Sequence, residues 1–237
     1  MSWLQITSQK VDLRVEDLGG TMTNPFDANL VLDSLSSTRE VFHSEFDFQF
    51  AFAWTAKNIY PHLEVRLETH PTPSESLDLA LVDPTSNSGI AIEFKYKTLA
   101  WEGNHQGEIF ALKSHGASDI GCYDIVKDIA RVERFIAEKS RWNGYAITLT
   151  NDPTYWNLRT HGRQTNAEEF RVSDGLTLKG SRRWGPNTGN GTKKGREADL
   201  DIAGTYKLKW RPYSEVSIKA GGTFKSLVVQ VNPQKQI

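Results

Sequence analysis

Three short runs of alternating apolar and polar residues lie close together in the first half of the chain. They read HLEVRLE at residues 62–68, SLDLALV at 76–82 and IAIEFKYKT at 90–98. Alternation with a period of two is typical of β-strands that bury one face. Because a short turn around Asp83-Pro84 separates the second run from the third, we predict that these two runs pair as a hairpin.

Two longer segments have helical periodicity. Residues 37–57 are predicted to be a helix capped by Ser37 or Thr38, with its apolar residues at three- and four-residue spacing. These residues are Val41, Phe42, Phe46, Phe50, Ala53 and Trp54, with Phe48 and Phe52 widening the face. Residues 123–140 show the same spacing in Ile125, Ile129, Val132 and Ile136. A fourth strand is predicted at 144–150, after a long connection at 99–121.

The order helix, three strands, helix and strand predicts the α/β (α+β) class, with a mixed central β-sheet flanked by helices. We assign residues 1–150 to this core and residues 151–237 to a C-terminal extension packed on the same domain. The shorter predicted elements are a strand at 4–6, a helix start at 30–35, an insertion at 151–200 and strands at 206–210 and 227–231.

The composition indicates a globular chain, since hydrophobic residues make up 38% and charged residues 24% of it. The single cysteine, Cys122, excludes an internal disulfide and a cysteine-rich zinc site. No stretch approaches the roughly 20 apolar residues that a membrane helix needs. These features lead us to expect a cytoplasmic protein without a membrane partner.

Acidic and basic residues interrupt the second and third strands in a pattern that suggests chemistry. Alternation places Glu93, Lys95 and Lys97 on one face of their strand. Asp78 interrupts an otherwise apolar strand, and Leu77 is expected to share the opposite face with the other leucines. If the two strands pair, Asp78 and the Glu93-x-Lys95 pair converge near one end of the sheet.

Two carboxylates at close range repel each other unless a cation lies between them. Mg²⁺ prefers such oxygen ligands and lowers the pKa of a bound water, while a nearby lysine stabilises developing negative charge. Asp78, Glu93 and Lys95 therefore predict a divalent-metal phosphodiesterase site. The simpler interpretation is that Glu-x-Lys forms salt bridges on the solvent face of an edge strand.

The arrangement of Glu45 on a helix, then Asp78, then Glu93-Phe94-Lys95 resembles the PD-(D/E)XK nuclease superfamily over about residues 37–150. The resemblance implies a restriction-endonuclease-like fold with Mg²⁺ or Mn²⁺ held by Asp78, Glu93 and the Phe94 main-chain carbonyl. It implies that Lys95 positions the attacking water and that Glu45 contributes from the helix. The motif's proline is absent, because Leu77 precedes Asp78.

Glu45 has a second interpretation, because its neighbours on the predicted helix are phenylalanines. A carboxylate on a buried side needs a partner. Besides the metal site, that partner could be Arg66 or a backbone amide.

Basic residues predict where nucleic acid would bind. Residues 179–196 contain no acidic residue and are rich in glycine, so they could follow phosphates, with Trp184 stacking on a base. A solvated loop is the alternative. The predicted contacts are Lys97, Lys127, Arg131, Arg182, Arg183, Trp184, Lys193 and Lys194. For most charged residues of the second helix, a solvated helix face is the simpler interpretation.

We therefore expect a Mg²⁺-dependent nuclease (a hydrolase of phosphodiester bonds), acting on DNA rather than RNA by analogy with the superfamily. The first alternative is a non-catalytic module of the same fold that binds nucleic acid or a partner protein. The second is a sugar- or nucleotide-binding α/β protein in which Glu-x-Lys is accidental. A homodimer is left open.

Overall fold

A computed structural model of the chain describes residues 26–72, 75–159, 162 and 164–232. The predicted strand at 4–6 lies outside these residues. The helices are α1 (Ala28–Ser36), α2 (Glu45–Ile59), α3 (Ser118–Ile136) and a short α4 (Asn190–Lys193), with a 3₁₀ turn at Glu168–Phe170. The strands are β1 (Glu64–Thr72), β2 (Glu75–Asp83), β3 (Ser88–Lys97), β4 (Trp101–His105), β5 (Glu108–Leu112), β6 (Trp142–Thr150), β7 (Thr177–Arg182), β8 (Leu200–Lys207), β9 (Trp210–Glu215) and β10 (Thr223–Val231).

The central sheet has six strands in the order β1-β2-β3-β6-β10-β9. Strands β3 and β6 are parallel, and the other neighbouring pairs are antiparallel. Helix α3 provides the crossover between the two parallel strands. The sheet is therefore mixed and flanked by helices, as predicted, and the expected β2–β3 hairpin is confirmed.

Two hydrophobic clusters cover the two faces of the sheet. One packs α1 and α2 against one face, where Phe48 and Phe52 of α2 contact Phe94 with ring centroids 5.3 and 5.1 Å apart. The other packs α3 and the β7–β8 hairpin against the opposite face. Phe94 of β3 packs in the α2 cluster, so strand alternation places its neighbours Glu93 and Lys95 on the α3 face.

Helix α2 begins eight residues later than predicted and buries a different face. Its first residue is Glu45, because the Ser44 side chain accepts a hydrogen bond from the Asp47 N–H and caps the helix there. The residues that face the core are Phe48, Gln49, Phe52, Ala53 and Ala56. The predicted face was wrong for Phe46, Phe50 and Trp54, whose side chains are exposed.

Helix α3 also differs from its predicted bounds, since it begins at Ser118 and ends at Ile136. It lies very close to β6, where a Cβ atom on Gly144 would be 2.1 Å from Val132 Cγ1. The glycine therefore allows the crossover helix to approach the sheet closely. None of the described helices has both the length and the apolar character needed to cross a membrane.

The segment predicted as a connection, 99–121, contains the β4–β5 hairpin. The predicted insertion at 151–200 contains β7, which pairs with β8 and packs on α3. The strand predicted at 206–210 is wrong, because β8 ends and β9 begins within it. Leu208 there exchanges backbone hydrogen bonds with residues near Leu176 instead. Strands β9 and β10 complete the central sheet, so the C-terminal residues supply part of the core.

Candidate functional site

Three ion pairs join β3 to α3, and we call them the ion-pair ladder. They are Glu93–Arg131 at 2.8 Å, Lys95–Asp128 at 2.8 Å and Lys97–Asp124 at 3.2 Å. Alternate residues on a strand share a face, and residues three or four apart on a helix share a face. The two elements run in opposite directions, so each strand residue meets a helix residue of opposite charge.

Asp78 lies where the β2–β3 ladder of backbone hydrogen bonds ends. Its Oδ2 accepts a hydrogen bond from the Phe94 N–H at 2.7 Å. Burial raises the pKa of Asp78, although this hydrogen bond acts in the opposite direction. Leu77 packs on the α3 side whereas Leu79 packs under α2. The simple alternation predicted for β2 is therefore wrong at this point.

Glu93 is almost completely buried, with 1% of its surface exposed. Burial, followed by the nearby charges of Asp78 and Asp128, raises the pKa of Glu93 to about 8. Its Oε2 accepts a hydrogen bond from Arg131, but its buried Oε1 has no hydrogen-bond partner within the part of the chain that the structure describes. Asp78 and Glu93 are thus close enough to interact electrostatically, as the strand pairing predicts.

Glu45 joins the same cluster from the first turn of α2. Its Oε2 accepts a hydrogen bond from the Tyr96 N–H at 2.7 Å, and its Oε1 lies 3.8 Å from Lys95 Nζ. Of the partners considered from the sequence, the backbone amide is the one that Glu45 contacts. The structure brings Glu45 and Lys95 together, across the edge where α2 meets β3.

Asp128 is a member of the cluster that the sequence did not identify. It is 3% exposed and lies 2.8 Å from Lys95 Nζ and 3.8 Å from an Arg131 nitrogen. Burial opposes the charge of Lys95, but the nearby carboxylates of Asp128 and Glu45 outweigh it and raise the Lys95 pKa. The interpretation of the charged residues of this helix as a solvated face is therefore wrong for Asp128.

The cluster contains more acidic than basic groups. Its carboxylates are Glu45, Asp78, Glu93 and Asp128, and its cations are Lys95 and Arg131. When all six are ionised, these groups carry a surplus of two negative charges. The surplus and the unpartnered Glu93 Oε1 fit a divalent cation with hard oxygen ligands, in charge and in donor type.

The same contacts also occupy several of the oxygen atoms that the resemblance assigns to a metal. Lys95 Nζ donates to the Phe94 carbonyl at 2.9 Å, and the Phe94 N–H engages Asp78. Within the described ranges, no three histidine, cysteine or acidic side chains are grouped closely enough to form a metal site. Binding of a metal through the Phe94 carbonyl would therefore require the Lys95 ammonium to move away from that oxygen.

Two of the predicted nucleic-acid contacts are engaged within the ladder. Lys97 is paired with Asp124 and Arg131 with Glu93, so neither presents an unpaired charge to solvent. Lys127 is exposed on α3. Of the three residues, Lys127 is the one placed to contact a phosphate without breaking an internal ion pair.

The basic segment at 179–196 is structured rather than an open loop. Arg182 ends β7 and is half-buried, whereas Arg183 pairs with Asp199 at 3.2 Å. Lys193 ends the short α4, and the exposed Lys194 follows it.

Trp184, which was predicted to stack on a base, is 8% exposed. Its ring stacks on Tyr123 at 5.6 Å and packs against Phe170 at 4.6 Å. The base-stacking prediction is therefore replaced by a role in the core. Hydrophobicity explains this outcome, because a tryptophan that follows basic residues can anchor a segment in the core as readily as it can contact a ligand.

The functional interpretation rests on the contacts within this chain. No protein-family model, no curated protein and no solved structure matches the sequence or the fold.

Proposed function

We propose that the chain is a metal-dependent nuclease with a restriction-endonuclease-like fold. The observation that carries the proposal is the surplus of carboxylates around β3, together with the unpartnered Glu93 Oε1. Buried carboxylates without compensating charge are costly, so such a cluster favours a cation or a proton. The mixed sheet with α3 crossing between β3 and β6 supports the same proposal at the level of the fold.

Each residue of the cluster has a distinct part in this proposal. Asp78, Glu93 and the Phe94 carbonyl would hold Mg²⁺ or Mn²⁺, which supplies a water of lowered pKa and neutralises charge on the phosphate. Lys95 stabilises the negative charge that develops on the phosphate oxygens. Its raised pKa keeps the Lys95 ammonium protonated at neutral pH.

Glu45 and Asp128 position Lys95 from two different helices. Asp128 lies 2.8 Å from the Lys95 ammonium, and Glu45 lies at a longer distance of 3.8 Å. After Lys95 leaves the Phe94 carbonyl to a metal, these two carboxylates still restrict where its ammonium can go, which limits the conformational entropy lost when a substrate arrives. The substrate class is nucleic acid, with DNA favoured over RNA by analogy alone.

Replacing Asp78 or Lys95 tests the proposed chemistry. We expect Asp78→Ala and Lys95→Ala each to lower Mg²⁺- or Mn²⁺-dependent cleavage of DNA by at least about a hundredfold, because each removes a group acting on the reacting phosphate. Cleavage of labelled single- and double-stranded oligonucleotides measures the loss. Glu138→Gln, at an exposed position just after α3, is the matched control and should cleave like the parent. Equal cleavage by all three variants would refute the assignment.

The ion-pair ladder favours a second candidate, a non-catalytic module of the same architecture. Each cation of the ladder already contacts a carboxylate, so the Glu-x-Lys pattern has a structural explanation in the packing of α3 on β3. Under this alternative, the parent protein binds no Mn²⁺ in titration calorimetry and cleaves no oligonucleotide with either metal. Detectable Mn²⁺ binding that Asp78→Ala abolishes would exclude it.

A further inference from the structure

An aromatic stripe runs along the exposed side of α2. It consists of Phe46, Phe50 and Trp54, which are 60%, 51% and 64% exposed. Their spacing of four residues places them on one side of the helix, and the Phe50 and Trp54 rings stack with centroids 6.2 Å apart. The opposite side of the same helix is packed into the core. The stripe is therefore an apolar face with no covering element among the described residues.

The polar residues beside the aromatic stripe are arranged symmetrically about the middle of α2. Asp47 lies near its beginning, and Lys57 and Asn58 lie near its end. If two antiparallel copies of α2 cross at residue 52, Phe50 of one copy lies opposite Trp54 of the second copy. In the same way, Asp47 lies opposite Lys57, and Phe46 lies opposite Asn58. Two copies of α2 related by a two-fold axis would thus bring Phe50 against Trp54 twice and place Asp47 near Lys57 twice, which is the self-complementarity of an isologous interface.

We propose that the aromatic stripe is an interface between two copies of this chain, with their α2 helices antiparallel. Phe50 of each copy then packs on Trp54 of the second copy, and the opposed helix dipoles add to the attraction between the ends. This inference does not depend on the proposed catalytic function.

The charge of this face favours a second copy over nucleic acid. One acid and one base flank the rings on the exposed side, and Glu45 precedes Phe46, so the face has no surplus of positive charge. Binding of nucleic acid relies on neutralisation of phosphates by lysine and arginine. Asp47 also accepts hydrogen bonds from Arg39 and the His43 N–H, and the Lys57 ammonium donates to the Pro61 and Leu63 carbonyls of its own chain. Because both groups already have partners, Asp47 and Lys57 guide the orientation of the two copies more than they strengthen the contact.

The small exposed area of the aromatic stripe indicates a weak dimer. At typical side-chain areas, the three rings expose roughly 350 Å² per copy, less than half of the roughly 800 Å² per partner in a standard interface. We therefore expect a reversible dimer with a dissociation constant of about 1–100 µM. Sedimentation velocity over about 1–200 µM of the full chain covers the range in which its mass doubles.

Single substitutions locate the interface. Phe50→Glu and Trp54→Lys should each raise the dissociation constant by at least about tenfold, because each introduces a charge opposite an aromatic ring. Ile109→Glu is the matched control, since Ile109 of β5 is 75% exposed and lies outside the aromatic stripe. It should leave the dissociation constant unchanged. Circular dichroism and thermal melting should match the parent protein, because all three positions are exposed.

A mixture of the two variants tests the register. An equimolar mixture of Phe50→Glu and Trp54→Lys should form a heterodimer, because the introduced carboxylate and ammonium then face each other while the second ring pair remains intact. Failure of the mixture to associate would overturn the antiparallel register. A parent protein that stays monomeric at all concentrations would overturn the interface itself, as would weaker oligonucleotide binding by Phe50→Glu in such a monomer.

Discussion

At the scale of single residues, the buried carboxyl of Glu93 makes stability depend on pH. Its pKa is raised to about 8 by burial and neighbouring acids, whereas an unfolded glutamate ionises near pH 4.3. The folded state therefore holds a proton that the unfolded state releases as pH rises. The stabilisation from this proton is complete below the unfolded pKa and is lost as pH rises through the folded pKa.

We expect the free energy of unfolding of the metal-free protein to fall from about pH 5 to pH 8.5, by up to about 1.4 kcal/mol per pH unit. Urea denaturation in EDTA at several pH values measures this slope. In Glu93→Gln the same interval should show a shallower slope, because the amide does not titrate. Parallel curves for the two proteins would mean that Glu93 ionises normally in the folded state.

The residues of the candidate site differ in how far the sequence revealed them. Asp78, Glu93 and Lys95 were recognisable because charged residues inside an apolar alternating strand are rare enough to attract notice. Asp128 was not, since acids and bases at three- and four-residue spacing on a helix are the usual mark of a solvated face. A search for charges on α3 that complement those on β3 at matching spacing would have found it.

At the scale of elements, the contact between α3 and β6 depends on a glycine. Gly144→Ala should destabilise the protein by about 1–3 kcal/mol, because the new methyl group overlaps Val132 and the packed interior resists expansion. Chemical denaturation measures the change. Gly116→Ala is the control and should be nearly neutral, since nothing lies within 4 Å of a Cβ atom there.

The same overlap predicts coupling between the two elements. In a double-mutant cycle, Val132→Ala should recover part of the stability lost in Gly144→Ala, because it removes the atom that the new methyl group meets. Strict additivity of the two changes would show that the helix moves away as a rigid unit instead.

Helix α2 shows why element boundaries were harder to predict than element types. Helical spacing in residues 37–57 correctly indicated a helix, but Val41 and Phe42 continued the pattern into a segment that is buried without being helical. Phenylalanine at almost every second position gave two competing apolar faces. The core selected Phe48 and Phe52, because Phe94 lies opposite them, and no local pattern contains that information.

At the scale of the whole molecule, basic residues far from β3 bear on nucleic-acid binding. Among the described residues, Lys193 and Lys194 make no salt bridge, whereas Arg183 is paired with Asp199. If nucleic acid binds this surface, Lys193→Gln with Lys194→Gln should lower the slope of log affinity against log salt by about 1.8 for duplex DNA. Fluorescence anisotropy at several salt concentrations measures the slope.

Lys219→Gln, which removes an exposed charge between β9 and β10, is the control for that experiment. It changes the net charge without touching α4, so the slope should stay close to that of the parent. An unchanged slope in the double variant would mean that neither lysine contacts a phosphate.

The global topology was predictable only in part. Hydrophobic patterning revealed the mixed α/β class and the run from β1 to β6, because these elements are close in sequence. It could not reveal that β10 lies beside β6, since pairing of strands more than 70 residues apart leaves no local signal. The segment predicted as an extension therefore contains a strand on which the central sheet depends.

The position of β10 also affects how the chain is made. Strand β6 lies in the interior of the finished sheet, yet its second neighbour, β10, is synthesised more than 70 residues after it. Until then, one edge of β6 presents unpaired backbone N–H and C=O groups between apolar side chains, and such an edge pairs readily with other chains. A nascent chain that stalls before β10 thus exposes the unpaired edge of β6 beside the charged cluster. We therefore expect a chain that stops before β10 to aggregate more readily than one that includes this strand.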